Sequence, residues 1–152
     1  MKMLTVAFII MFSAFAFSEE SITPVNVKNG IAIHGYDAVA YFNLFKPVKG
    51  IEKFKHSWKG ATWYFSSESN RSLFAESPEK YAPQFGGYCA FAASRDYIYD
   101  ADPEFWKIVN GKLYLNYNAE AKKEWEKDVN GNIKNGNENW PNLLKGKEAK
   151  ES

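Results

Sequence analysis

Phe54-Lys55-His56-Ser57-Trp58-Lys59-Gly60-Ala61-Thr62-Trp63-Tyr64-Phe65 reads as two short strands joined by a two-residue turn. Aromatic residues alternate with polar ones on both sides, and Gly60 supplies the positive φ that such a turn needs. The turn predicts a register in which Trp58 faces Ala61, His56 faces Trp63 and Phe54 faces Phe65. Cross-strand partners share a face. Phe54, His56, Trp58, Trp63 and Phe65 therefore line one side, the apolar one, with a histidine among them. Beyond the hairpin, Ser66 or Ser67 is placed to cap a helix of about two turns ending near Ala75, with Leu73 and Phe74 docked on the sheet. Pro78 starts a further turn through Tyr81, and Pro83 stops it.

The pattern recurs downstream. Residues 105–109 and 112–117 flank Asn110-Gly111, a strong hairpin signal. Asn118 caps a helix running from Ala119 to about Asp128, with Gly131 past its end. Gly60 and Gly111 lie 51 positions apart, and Phe74 and Trp125 keep the same offset. The expected fold is α+β: two β-hairpin–helix units packed around a shared aromatic core. Upstream, residues 19–30 read as an irregular lead-in, and residues 39–42 as a short strand or turn against the core. From Asn132 the composition turns to Asn, Lys, Glu and Gly, so a tail is expected, with Trp140-Pro141-Asn142-Leu143-Leu144 docked on the body. Residues 146–152 are expected to be flexible, which leaves 19–145 as one domain.

Residues 1–18 have a different character. Lys2 precedes an uncharged, mainly apolar run over residues 4–17, and Ala16-Phe17-Ser18 offers small residues where a signal peptidase reads. The run falls short of the roughly 20 apolar residues of a membrane anchor. A cleaved export signal is expected, with a periplasmic or extracellular mature chain and no stable membrane span; the alternative is an uncleaved N-terminal anchor. Removing the signal takes away all three methionines and leaves 18 basic against 18 acidic side chains. A chain without basic excess is a poor nucleic-acid binder. Cys89 is the single cysteine, so no intramolecular disulfide is open to it in a compartment where thiols oxidise.

Several spaced motifs agree on one family. His34-Gly35-Tyr36-Asp37-Ala38-Val39-Ala40-Tyr41-Phe42, the first hairpin, Phe74, Pro78-Glu79-Lys80-Tyr81 and Gly86-Gly87-Tyr88-Cys89-Ala90 together resemble the exported YHS-domain proteins. The resemblance implies a YHS-like fold and, for the cysteine-bearing versions, heavy-metal binding. Those versions carry one cysteine just after the second hairpin strand and another four residues on. Here these places hold Ser66 and Asn70, and no cysteine stands among residues 36–41.

The side chains able to do chemistry are few. Cys89, His56 and His34 form a competent ligand set for copper or zinc. Their spacing is no local chelate, so only the fold could gather them. Asp37, Tyr36 and Tyr41 could add oxygen ligands, although an aspartate close to a glycine, here Gly35, is commonly a turn former. No histidine follows Cys89, Cys-x-x-Cys is absent, and so are the hydrolase, metalloprotease and phosphate-loop signatures. The expected function is a non-enzymatic exported protein that binds a transition metal, copper before zinc, at Cys89 with His56 and His34. The rivals are a partner-binding module that uses exposed aromatics, and a thiol-dependent enzyme with His56 as base.

Overall fold

Lys59 and Gly60 take φ values of 48° and 71°, and Asn110 and Gly111 take 50° and 74°. Positive φ at both central residues lets a two-residue turn follow the natural twist of its strands. These data come from a computed structural model that describes residues 23–146. The expected signal segment therefore lies outside the described residues, as does the end of the expected tail.

The first turn joins β3 (Ile51–Trp58) to β4 (Ala61–Phe65). Trp58 faces Ala61 and His56 faces Trp63, as the turn dictates. Phe54 does not reach Phe65: the register shifts between Ile51 and Lys55, and Ile51 takes that place. Gly50, just before this shift, lies close to β4, where a Cβ would come within 2.4 Å of the Tyr64 carbonyl carbon. Backbone meets backbone there, and the strand bulges beyond it. Phe54 still packs against the core, half-buried.

The second hairpin, β5 (Asp102–Val109) and β6 (Lys112–Asn116), repeats the first pair for pair at an offset of 51, including the shift between Asp102 and Trp106. A capped helix follows each. Ser67 Oγ accepts from the Asn70 amide at 3.1 Å and opens α2 (Glu68–Glu76). Asn118 Oδ1 accepts from the Ala121 amide at 2.8 Å and opens α5 (Ala119–Glu126). Phe74 and Trp125 are fully buried. Leu73 does not dock as expected and is 36 % exposed, because neighbouring residues on a helix point about 100° apart and the sheet takes only one.

The repeat also extends upstream of the hairpins. Two 3-10 turns, Ile33–Gly35 and Gln84–Gly87, contain three consecutive positive φ values each: 41°, 55° and 78° at residues 33–35, and 55°, 62° and 84° at residues 85–87. Each leads into a short helix, α1 (Ala40–Asn43) or α4 (Ala90–Ser94). The sequences behind them are Gly35-Tyr36-Asp37-Ala38-Val39-Ala40 and Gly87-Tyr88-Cys89-Ala90-Phe91-Ala92, 52 positions apart. Asp37 and Cys89 are thus equivalent residues.

Three expectations change. The lead-in is not wholly irregular: β1 (Val27–Lys28) and β2 (Ile31–Ala32) extend the first sheet in the order β1-β2-β4-β3, with β2 parallel to β4. Most of residues 39–42 form a helix rather than a strand, because the Asp37 carboxylate caps it. The supposed tail is, among the described residues, the longest helix, α6 (Val129–Leu144). Asp128 Oδ1 accepts from the Gly131 amide at 3.0 Å, so Gly131 sits in the first turn instead of ending the previous helix. Gly136 is there for space, since a Cβ would come within 2.6 Å of the Phe85 ring. The helix continues through Pro141. Pro78–Tyr81 is helical as expected and forms α3.

The aromatic core is shared, but in two compartments. One gathers Tyr41, Trp63, Phe65 and Phe74, and the other Phe85, Tyr114, Trp125 and Leu143. Strand β6 lies between them: Leu113 and Leu115 enter the first, and Tyr114 enters the second. Alternation along a strand sends neighbours to opposite faces, and here both faces are buried.

Candidate functional site

Cys89 opens α4. Its amide donates to the Tyr99 carbonyl at 2.9 Å, and its residue bridges to Leu115 of β6. The thiol is 2 % exposed and donates to Oδ1 of fully buried Asn116 at 3.7 Å, an oxygen that also accepts from the Phe91 amide at 3.1 Å. Above it runs an apolar groove of about 330 Å³, walled by Phe91, Arg95, Tyr97, Tyr99 and Tyr117. Tyr97, Tyr99 and Tyr117 are 69 %, 53 % and 44 % exposed and, with Phe45, are the exposed aromatics among the described residues. Tyr99 and Tyr117 meet edge to face at 4.7 Å between centroids. The Arg95 guanidinium lies over the Phe91 ring at 5.2 Å, so the one cation of the wall is tied to an aromatic face.

His34 lies on the strained turn before α1. Its Nε2 meets both oxygens of Asp100, at 2.9 and 3.1 Å. Asn26 Nδ2 donates to the same carboxylate at 2.7 Å, and so does the Ala101 amide at 2.8 Å. Burial opposes the charged form of Asp100, but the hydrogen bonds from Asn26 and His34 and the nearby imidazole outweigh it and hold the carboxyl below its usual range. A depressed carboxylate contributes stability that is present above its unfolded pKa, about 3.9, and lost as pH falls through the lower folded value. Asp100→Asn should therefore flatten the acid limb of the stability curve below about pH 4. The side chain is half-exposed, so the effect is small. Thermal melts from pH 2 to 6 test this, and an unchanged acid limb would refute it.

His34 and Cys89 are tied to consecutive residues, Asp100 and Tyr99. Tyr117 walls both the Cys89 groove and the cleft beside His34. His56 has other surroundings: its ring meets Phe74 edge-on at 6.1 Å, opposite Trp63 in the first hairpin. Among the described residues no three His, Cys, Asp or Glu side chains gather as a metal-holding group. The thiol's polar partner is an asparagine and not a base, which leaves the thiol-enzyme reading without a proton acceptor at this distance.

Sequence reasoning missed one polar centre. Asp37 is fully buried. Its Oδ1 accepts from the Val39 and Ala40 amides at 2.9 and 3.1 Å. Its Oδ2 accepts from the Ser66 amide at 2.8 Å, Ser66 Oγ at 2.6 Å and Asn70 Nδ2 at 2.8 Å. Asn70 Oδ1 in turn accepts from Asn43 Nδ2 at 2.9 Å. The family profile that matches the chain, over residues 41–85, is that of the YHS domain. The chain carries a YHS domain. No curated protein and no solved structure matches it. The YHS domain is linked to metal handling in general. In this YHS domain the two places that carry cysteines in the metal-binding versions, Ser66 and Asn70, both spend their side chains on Asp37. Neutral hydroxyl and amide groups already bonded to a carboxylate do not fit a thiophilic metal. Cys89 lies beyond the matched segment, in the second, structurally equivalent unit.

No helix among the described residues is long and apolar enough to cross a membrane.

Proposed function

We propose that this is an exported, non-enzymatic YHS-domain protein that binds its target through the aromatic groove over Cys89. The observation that carries the reading is the group of three exposed tyrosines around an apolar groove. Tyrosine presents a large, rigid contact area at low entropic cost, and solvent-facing clusters of it mark binding surfaces. The walls select an apolar or aromatic group, such as a side chain of a partner protein. The thiol on the floor gains shelter from oxidation when the groove is filled. The test is a screen of aromatic and aliphatic fragments by NMR chemical shifts, followed by titration of the best binder. Tyr99→Ala and Tyr117→Ala should each weaken it by about tenfold. Binders whose shifts map elsewhere, or which bind both variants unchanged, would remove the groove from the proposal.

A transition metal, copper before zinc, at Cys89 with His56 and His34 is the competing proposal. It is favoured by the placement of Cys89 and His34 on consecutive anchors, Tyr99 and Asp100. Titration with copper(I) and zinc(II) under reducing conditions decides it. A 1:1 complex lost in Cys89→Ala and weakened in His34→Ala and His56→Ala would establish the metal.

A further inference from the structure

The two units hold equivalent residues in different states. Asp37 matches Cys89 at an offset of 52, and Ser66 and Asn70 match Tyr117 and Ala121 at 51. In the second unit Tyr117 and Ala121 line the open groove beside Cys89. In the first unit the three side chains close on one atom. Asp37 Oδ2 receives three donors within 2.8 Å, from the hydroxyl and amide of Ser66 and the side chain of Asn70. Its companion oxygen is held by the backbone amides of Val39 and Ala40, at the start of α1. Donors that converge on a single buried centre are the arrangement of a ligand site. Here the centre belongs to the chain itself.

We infer that the metal position of the YHS fold is closed in the first unit by this carboxylate, so that Asp37 is a built-in occupant and Ser66 and Asn70 bind no ion. The charge explains why a metal is not needed there. A cation site draws its strength from anionic ligands around a positive centre, and this site is inverted, with a negative centre ringed by N–H and O–H donors. The Asn70 side chain donates to Asp37 and its carbonyl accepts from Asn43 Nδ2. The closure does not depend on what occupies the Cys89 groove.

The inference predicts that the position is latent and can be reopened. Ser66→Cys with Asn70→Cys, made in the full chain, places two thiolates beside the Asp37 carboxylate, a set suited to zinc. Zinc affinity, read by competition with a chromophoric chelator, should rise at least about 100-fold over the unaltered chain, and zinc should raise the melting temperature. If the double variant folds only with zinc, recovery of native circular dichroism on adding zinc supports the inference equally. The single variant Ser66→Cys should gain affinity less strongly. Two results overturn the inference. One is an unaltered chain whose zinc or copper affinity falls tenfold or more in folded Ser66→Ala or Asn70→Ala. The other is a pair of cysteine variants, single and double, that bind zinc no more tightly than the original.

Discussion

Asp37→Ala should cost the protein on the order of 4–5 kcal/mol. The substitution removes the carboxylate acceptor of five donors, at the start of α1, just after β4 and in α2, and of these the Ala40 amide keeps the residue 37 carbonyl at 3.2 Å. An unsatisfied buried donor costs about 1–3 kcal/mol, and water entering the vacated space recovers part of that. Losses above about 4 kcal/mol come only from a short list of causes, among them a broken buried network. Against a typical total of about 5–15 kcal/mol, the variant should be partly unfolded at room temperature or melt far below the parent. Asp37→Asn keeps the shape and one oxygen but turns an NH2 group toward donors, so it should fall between the two. Urea unfolding at 25 °C measures both, and a loss under about 1 kcal/mol in the alanine variant would deny Asp37 its role as a hub.

Phe74→Ala should cost about 3–5 kcal/mol, the range for a large aromatic removed from a packed core. Phe74 contacts four rings: Trp63 and Phe65 at 4.9 and 5.0 Å, Trp58 at 5.7 Å and His56 at 6.1 Å. These belong to both strands of its hairpin, so no single neighbour can move in to fill the space. Trp125→Ala, at the equivalent position and equally buried, should cost a similar amount. Both variants should melt in one cooperative step, because β6 contributes to both compartments of the core. Calorimetry of each variant tests the pair of statements together. Two separable transitions would show that the units unfold independently.

The hairpins were legible because their signals are local. Lys59-Gly60 and Asn110-Gly111 dictate backbone geometry within two residues, and Ser67 and Asn118 cap their helices within three. Helix α6 was hidden by composition, since two glycines, a proline and many asparagines disfavour a helix on propensity alone. Tertiary packing decides it: Gly136 against Phe85, and Leu143 inside the second compartment. Asp37 was legible as a turn former but not as a hub. Its partners Ser66 and Asn70 lie 29 and 33 residues away, and nothing local announces them. The sequence does carry one signal of it: Gly-Tyr-Asp-Ala and Gly-Tyr-Cys-Ala stand 52 residues apart and extend the repeat to both candidate centres. Cys89 and His34 were legible by residue type, whereas the exposed tyrosines of the groove were indistinguishable from core aromatics. All three lie outside the strands, so no alternation pattern reports which way they face.

The placement of β6 bears on where this protein can be divided. Residues 41–85, the stretch that matches the YHS profile, end before either strand of the second hairpin begins. Yet the first compartment of the core is completed by Ala101, Leu113 and Leu115, with Trp106 and Ile108 packed against it. A polypeptide shortened to the matched stretch would carry Trp63, Phe65 and Phe74 with one flank open to water, a surface prone to self-association. In this chain the segment that defines the family is therefore smaller than the segment that can fold.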